Sequence, residues 1–561
     1  MRSLLVLGLA ALVGCSPAAD PGSQTASGDN SQPVNYPASD YREQGVGESG
    51  GVLHVTAAVD MGSLDVHLIT GTNPKWLGRM LFDNLVYQDE KGNATPWLAK
   101  SWDISTDGKT YTFHLRDDVT FSDGTRFNAQ AVQVNLKRIR DPATKAAMTT
   151  AYIAPYVDGK VIDEYTFEAH LSEPYTPFLN VLAQSWLGMM SPQAILENPA
   201  ALAEHPVGSG PFVVTRYVRQ QGVSFTRRDD YHWAPALIQH QGPAYLQGVE
   251  LSFVPEAMIR YSSLAAGQYD FTIDAPPQTA AAIRNDPDLV LKSRVNLGNP
   301  TRVLTFNVSQ APFDDVRVRK GVALAIDREG IAQIVGFGEY RTKTDFLSAT
   351  TPYYDPAFAG ALRYDVKQAN QLLDEAGWTE RDAQGYRTRA GQRLSAEVLT
   401  MESALSTGVD VVAVQSDLKK VGFELKIVQV PATQWVERRN ANRYQAMGSG
   451  YWHTNTPDGL YILYHSLQIN SDRYTGQNTS RLQDPQLDQW LSEARRTQDP
   501  ERLRLLYSQA QQRLTDLVPA VPVYENHTLV AYRRSVKGVI FDTSHNTPFF
   551  TSVWLDSKES K

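Results

Sequence analysis

The chain has 561 residues, 42% hydrophobic and 20% charged, which is too long for one core and ordinary for a protein of two or three lobes. Its formal net charge of -8 and the lack of any Lys/Arg-rich run exclude a nucleic-acid binder, which needs a basic stripe to meet phosphates. A single cysteine, Cys15, excludes disulfides within the chain and cysteine-cluster zinc sites.

Met1 to Gly14 carries one early charge, Arg2, followed by the apolar run Leu4 to Val13, long enough for an export signal and too short to span a bilayer. Leu12-Val13-Gly14-Cys15 resembles the bacterial lipobox. That resemblance implies a lipoprotein signal peptide over 1–14 and lipidation of Cys15; the alternative is ordinary cleavage after Ala18-Ala19. Residues 15–50 are rich in Ser, Pro, Gly, Asn and Gln and cannot bury enough apolar surface to offset chain entropy, so a disordered tether is expected.

The folded body is expected from Gly51, where Gly51-Val52-Leu53-His54-Val55 alternates as a strand does. A turn over Asp60 to Asp65 and a helix from about Pro74 to Leu85 follow, with Leu77, Met80, Leu81 and Leu85 at helical spacing. Trp102 to Ser105 and Tyr111 to Leu115 flank Thr106-Asp107-Gly108-Lys109, a hairpin signal. Val316 to Ile326 reads as an amphipathic helix, and Asp499-Pro500-Glu501 as the cap of another reaching about Asp516.

Several stretches share an order and spacing. They include Pro96 to Trp102, Asp107 to Arg116, Val119, Phe121, Asp123-Gly124-Thr125, Ala129 to Val132 and Pro206-Val207-Gly208-Ser209-Gly210-Pro211-Phe212. Arg227 to Trp233, Ala266 to Asp270, Phe306-Asn307, Pro312 to Arg319, Ala323 to Arg328, Ala369 to Trp378 and Leu418 to Phe423 continue the series. Together they resemble family 5 of the bacterial extracellular solute-binding proteins, the peptide, nickel and opine receptors of ABC importers, over about Gly51 to Leu555. The resemblance implies an α/β, two-lobed periplasmic-binding-protein fold of the cluster C, class II type, with an extra subdomain in the first lobe. Lobe I is expected over 51–302, lobe II over 303–522 and a return to lobe I over 523–561, with chain crossings near Arg302 to Asn307 and Pro519 to Tyr524. Such a body closes by a hinge on a ligand held between its lobes. The implied partners are a small-molecule or peptide ligand, ABC permease subunits and a membrane reached through the lipid; a monomer without cofactor, metal ligand or catalytic residue is implied. Ser16 after Cys15 suggests outer-membrane sorting, whereas the importer role places such receptors at the inner membrane or on the surface of a cell without an outer membrane.

Met447 to Ser466 concentrates the candidate ligand residues: Tyr451, Trp452, His453, Thr454, Asn455 and Asp458 lie between a Gly-Ser-Gly lead and Pro457-Asp458-Gly459. In peptide-binding members this segment carries a D-Y-x-D/E-P pattern whose first aspartate pairs with the ligand amine. Counted back from Pro457, that position is His453 and the second acid is Thr456, and a neutral imidazole supplies no countercharge to an ammonium group. A shift of register brings Asn455 or Asp458 there instead, and Asp60 is another candidate acid. A metal carried by a small organic chelator, a modified peptide, a saccharide or a peptide held by another acid all fit. Arg302, Asn307, Met61 and Ser63 are the further cleft candidates, and Trp435 is read as core.

Gly47-Glu48-Ser49-Gly50-Gly51 spells a nucleophile elbow without the buried strand that motif needs. Asp103 to His114 lacks the final glutamate of a calcium loop. An exported hydrolase on the same scaffold, or a chaperone-like receptor for segments of other proteins, are the rival readings; a nucleophile, base and oxyanion site clustered in the cleft would mark the first and a shallow open cleft the second.

Overall fold

The computed structural model describes residues 36–42, 45–69, 74–402, 408–470 and 476–557. Cys15 and the export signal lie outside the described residues. The tether expected up to residue 50 is anchored earlier. Asp40 pairs with Arg294 and, at 3.3 Å, with Lys292, while Arg294 lies 4.2 Å from the Tyr36 ring and the Val295 N–H donates to the Tyr36 hydroxyl. One tyrosine and one acid suffice to dock a segment whose average composition is that of a linker.

Lobe I opens with β1 (Val52–Ala57) and α1 (Pro74–Leu81). An extra subdomain follows, built from β2 (Ala99–Ile104), β3 (Thr110–Leu115), α2 (Ala129–Arg140), β4 (Tyr156–Asp163) and β5 (Thr166–Leu171). Its strands pair antiparallel in the order β2-β3-β5-β4, and the β2–β3 hairpin turns at the expected Asp107-Gly108, pairing Ile104 with Tyr111. β6 (Phe212–Val218), β7 (Gly222–Arg227), β8 (Gly248–Phe253), β9 (Phe271–Thr272) and β10 (Leu289–Val295) then return to the main sheet.

Helix α1 stops four residues before Leu85, although the apolar spacing continues. The Leu81 carbonyl, which a longer helix would give to the Leu85 N–H, instead accepts from the Gly210 N–H at 2.9 Å. A Cβ at Gly208 would lie 1.9 Å from that same carbonyl oxygen. The Pro206–Phe212 turn therefore closes the helix by direct backbone approach that only glycine permits.

Lobe II contains β11 (Thr301–Phe306), α3 (Val316–Ala325), β12 (Ser395–Met401), α4 (Val409–Lys420), β13 (Glu424–Val430), β14 (Ala446–Met447), α5 (Gly459–Tyr464), α6 (Pro500–Leu517) and β15 (Ala520–Tyr524). The side chain of Asp499 caps α6 as its spacing predicts, and that of Asp315 caps α3. β16 (His527–Arg533) carries the chain back into lobe I.

The two main sheets are separate. Lobe I has the order β10-β16-β9-β1-β8-β7-β6, and lobe II β13-β12-β14-β11-β15. β10 pairs with β16 up to Val295 and His527, and β11 with β15 from Thr301 and Tyr524. The chain thus passes between lobes twice, side by side, through 296–300 and 525–526. The stretches Arg302–Asn307 and Pro519–Tyr524, expected at the crossings, fall mostly on strands β11 and β15 of lobe II, and the passages lie just outside them. Separate apolar clusters fill the lobe I sheet and lobe II, while that of the extra subdomain also takes in Ile462 of lobe II; separate cores in the two main sheets are expected of lobes that move about a short hinge.

Candidate ligand-binding site

A cavity of about 310 Å³ lies at the hinge, bounded by both lobes. Its walls come from the end of β1, the first turn of α1, the residues after β9 and the start of β16, all at one end of the lobe I sheet, with Tyr340 and Tyr451 of lobe II opposite. Aromatic Trp76, Tyr340 and Tyr451 and apolar Ile273 and Leu529 line it, as in pockets that bury most of a small solute.

Three charged side chains reach this cavity. Lys75 is 1% exposed, and burial pushes its ammonium down to about 7. Asp274 accepts the Ala58 N–H at 3.0 Å, forms no ion pair among the described residues, and is raised above the usual carboxylate range by burial. Arg260 donates to the carbonyls of Val254, Pro255 and Asp274. Among the uncharged linings, Asn526 Nδ2, His527 Nε2 and Thr547 Oγ1 are buried polar atoms without a hydrogen-bond partner among the described residues. Burial and the nearby Arg341 charge bring His527 down to about 3, so it is neutral at physiological pH.

The 451–458 segment of lobe II sits against the extra subdomain and the carboxyl-terminal return of lobe I. The Tyr152 hydroxyl donates to the His453 carbonyl at 2.5 Å, and Asn455 Nδ2 donates to Gln88 Oε1 and the Asn180 carbonyl, each at 2.7 Å. Asp458 pairs with Arg495 at 2.9 Å and accepts from the Tyr175 hydroxyl at 3.0 Å. Arg495 is itself sandwiched between Tyr175 and Tyr461, 4.6 and 3.8 Å from their centroids. The hinge packs on the same segment: Gly298, at φ 103, leaves no room for a Cβ, which would lie 2.5 Å from the Trp452 carbonyl.

His453 Nε2 lies 2.7 Å from His545 Nδ1, joining the lobes through two imidazoles that pack on Trp186, His453 tilted at 49° and His545 edge-on at 88°. The Ser185 N–H donates to His545 Nε2 at 2.9 Å. That bond places the His545 proton on Nδ1, from which it donates to His453 Nε2. Burial, together with the charge of Lys75, holds both rings well below the ordinary histidine range, and His453 and Arg79 add to this at His545.

Of the residues singled out from the sequence, Tyr451 lines the cavity. Trp452 is half-buried with its ring 6.0 Å from that of Tyr152, Thr454 is buried beside Thr456 at 3.3 Å, and His453, Asn455 and Asp458 are engaged between the lobes. Arg302 donates to the Gly450 carbonyl at 3.3 Å. Asn307 is fully buried, donating to Asn442 and to the Tyr444 carbonyl. Met61 packs on the lobe I core, and Ser63 Oγ accepts the Asp65 N–H. Asp60 is taken up by the Tyr217 hydroxyl and the Gln220 N–H, both at 2.7 Å. Trp435 is half-buried against a small cluster of lobe II. Sequence reasoning passed over Lys75, Asp274 and Thr547. Two signals were present: a lysine in the first turn of a helix, where the dipole disfavours a cation, and an acid just past a buried strand of an α/β sheet, where such folds bind ligands.

A sequence profile described as "Bacterial extracellular solute-binding proteins, family 5 Middle" matches residues 93–472. The chain belongs to this family. Among curated family 5 relatives, the dipeptide-binding protein of Pseudomonas aeruginosa is 29% identical over 500 residues, covering 84% of this chain and 88% of its own. The glutathione-binding protein GsiB of Escherichia coli is 26% identical over 481 residues, covering 85% and 89%. Among solved structures, NikA of Brucella suis in complex with Fe(III)-EDTA superposes with a TM-score of 0.78 at 23% identity, covering 90% of this chain and all of that one. This likeness shows the two-lobed fold of the family. Among the described residues, no helix is long and apolar enough to cross a membrane.

Proposed function

We propose that this protein is the solute receptor of an ABC importer, lipid-anchored through Cys15, that closes on a small peptide-like solute and hands it to a membrane permease without chemistry. The observation that carries this reading is the hinge cavity: both lobes bound it, and Asn526 Nδ2, His527 Nε2 and Thr547 Oγ1 in its lining have no hydrogen-bond partner among the described residues. A volume of about 310 Å³ suits a solute of a few residues or a comparable conjugate. Relatives named for dipeptides and glutathione support the peptide-like class. Residues 1–14 and Cys15 support the anchor, and on this reading the receptor works at a membrane on the exported side, as a monomer beside its permease.

Two measurements test this. Deleting the gene in its host should abolish uptake of the solute, and a plasmid copy should restore it. Metabolic labelling with palmitate should mark the wild type and leave Cys15→Ala unlabelled in the soluble fraction. Unimpaired uptake in the deletion strain would remove the importer role, and an unlabelled wild type would remove the anchor alone.

A further inference from the structure

The receptor reading leaves the chemical class of the solute open, and the cavity narrows it. Lys75 is 1% exposed, lines the cavity, and makes no hydrogen bond or ion pair among the described residues. The carboxylate acting on it, Asp542, is already bound to Arg79 at 2.5 Å, both side chains being fully buried. A buried ammonium without a counter-ion is costly, and proteins retain one where a partner arrives with function. Asp274 stands apart from it in the same cavity: the cation acting on Asp274 is Arg260, and Asp274 is absent from the charges acting on Lys75. When Lys75 is protonated, Lys75 and Arg260 against Asp274 give the described lining one excess positive charge.

We propose, resting on the receptor reading, that Lys75 is the counter-ion for an acidic group of the solute, so that this receptor selects small carboxylate-bearing molecules of net negative charge. Asp274 takes a donor of the same molecule, an ammonium or a hydroxyl, while Asn526 Nδ2 and Thr547 Oγ1 are free to bond its remaining oxygens. The anchoring charge thus comes from the first turn of α1, in lobe I, whereas position 453 of lobe II carries no charge and is spent on His545. Binding should also move a proton. The free Lys75 titrates at about 7, and a carboxylate beside it restores the ammonium, so binding above pH 7 takes up a proton. The other ionisable groups around it, His453, His545, Arg79 and Asp542, are respectively held neutral by burial or locked in an ion pair.

The test is a thermal-shift screen of the full mature protein against di- and tripeptides, amino-acid conjugates, their carboxamides, neutral sugars and metal chelates, followed by calorimetry on the stabilising compounds. Stabilising compounds should carry a free carboxylate, and converting it to an amide should weaken binding about 10- to 100-fold, the usual range for a buried charge-assisted bond. Lys75→Met should lose the same factor and cease to distinguish acid from amide, while Lys75→Arg keeps the preference. Calorimetry at pH 8 in buffers of different ionisation enthalpy should show proton uptake in the wild type alone. The acid-against-amide comparison and the proton uptake need only the wild type, so the test survives a poorly folding variant. A neutral or cationic compound bound equally by wild type and Lys75→Met would overturn the inference and leave the receptor reading standing. A screen with no stabilising compound would remove both.

Discussion

Asp458→Ala is expected to open the protein. Arg495 is buried between Tyr175 of lobe I and Tyr461 of lobe II, and Asp458 is its carboxylate partner in the described structure. Removing that acid leaves a guanidinium without compensation in the closed arrangement and frees the Tyr175 hydroxyl as well. Breaking one side of a buried pair costs about 3–5 kcal/mol. Separating the lobes returns Arg495 to water, so the penalty falls mainly on closure. Small-angle X-ray scattering should report a larger radius of gyration for Asp458→Ala, and solute affinity should drop by at least about a hundredfold. Replacing both partners with apolar side chains of similar volume should recover much of the loss, because no charge is then stranded. An unchanged radius and affinity in the single variant would show that the pair does not hold the lobes together.

Acid is expected to act on the same contact from another side. His453 and His545 are held neutral across the lobe interface, and His67 and His527 are brought down to about 4 and 3 by burial. Because the folded values lie below the unfolded one, the unfolded chain binds more protons once the pH falls through about 6.5, and stability is lost on the acid side of that point. Each such histidine removes about 1.4 kcal/mol per pH unit until its folded value is reached. The His453–His545 pair adds a specific consequence. A second proton on His453 Nε2 faces the His545 Nδ1–H, and one on His545 Nε2 faces the Ser185 N–H, so either protonation breaks a bond that joins or braces the lobes. Between pH 6.5 and 5, before most carboxylates titrate, the lobes should open and solute affinity should fall. The double variant His453→Gln, His545→Asn should flatten that profile, leaving the shallower dependence due to His67 and His527. An equally steep profile in the double variant would assign the acid sensitivity elsewhere.

Local rules reached far into this fold. The Asp107-Gly108 hairpin, the Asp499 cap and the amphipathic α3 each depend on residues a few positions apart, and each is found where the spacing puts it. The family signature carried the two-lobed plan. Failures arose where distant stretches meet. Leu85 has helical spacing, yet α1 ends because a glycine turn more than a hundred residues later takes the Leu81 carbonyl. Periodicity records that a residue is buried, and the partner is set by sheet pairing. The segment around His453 was legible as a place of convergent aromatic and polar groups, but not as a contact between lobes, since Tyr152, Tyr175 and His545 lie far away in sequence. The cavity itself is assembled from Lys75, Asp274, Tyr340, Tyr451, Asn526 and Thr547, of which pairing of β1 with β9 and of β10 with β16 brings Asp274 and Asn526 to one end of the lobe I sheet.

The most direct test of the receptor account is native mass spectrometry of the protein purified from its own host without added solute, followed by gentle release and identification of what it carries. The account predicts a protein-bound small molecule of one mass or a narrow set, peptide-like, bearing at least one carboxylate, and lost on mild unfolding. Protein that remains solute-free after purification from cells grown on varied nutrients, with its lobes closed in scattering, would contradict it.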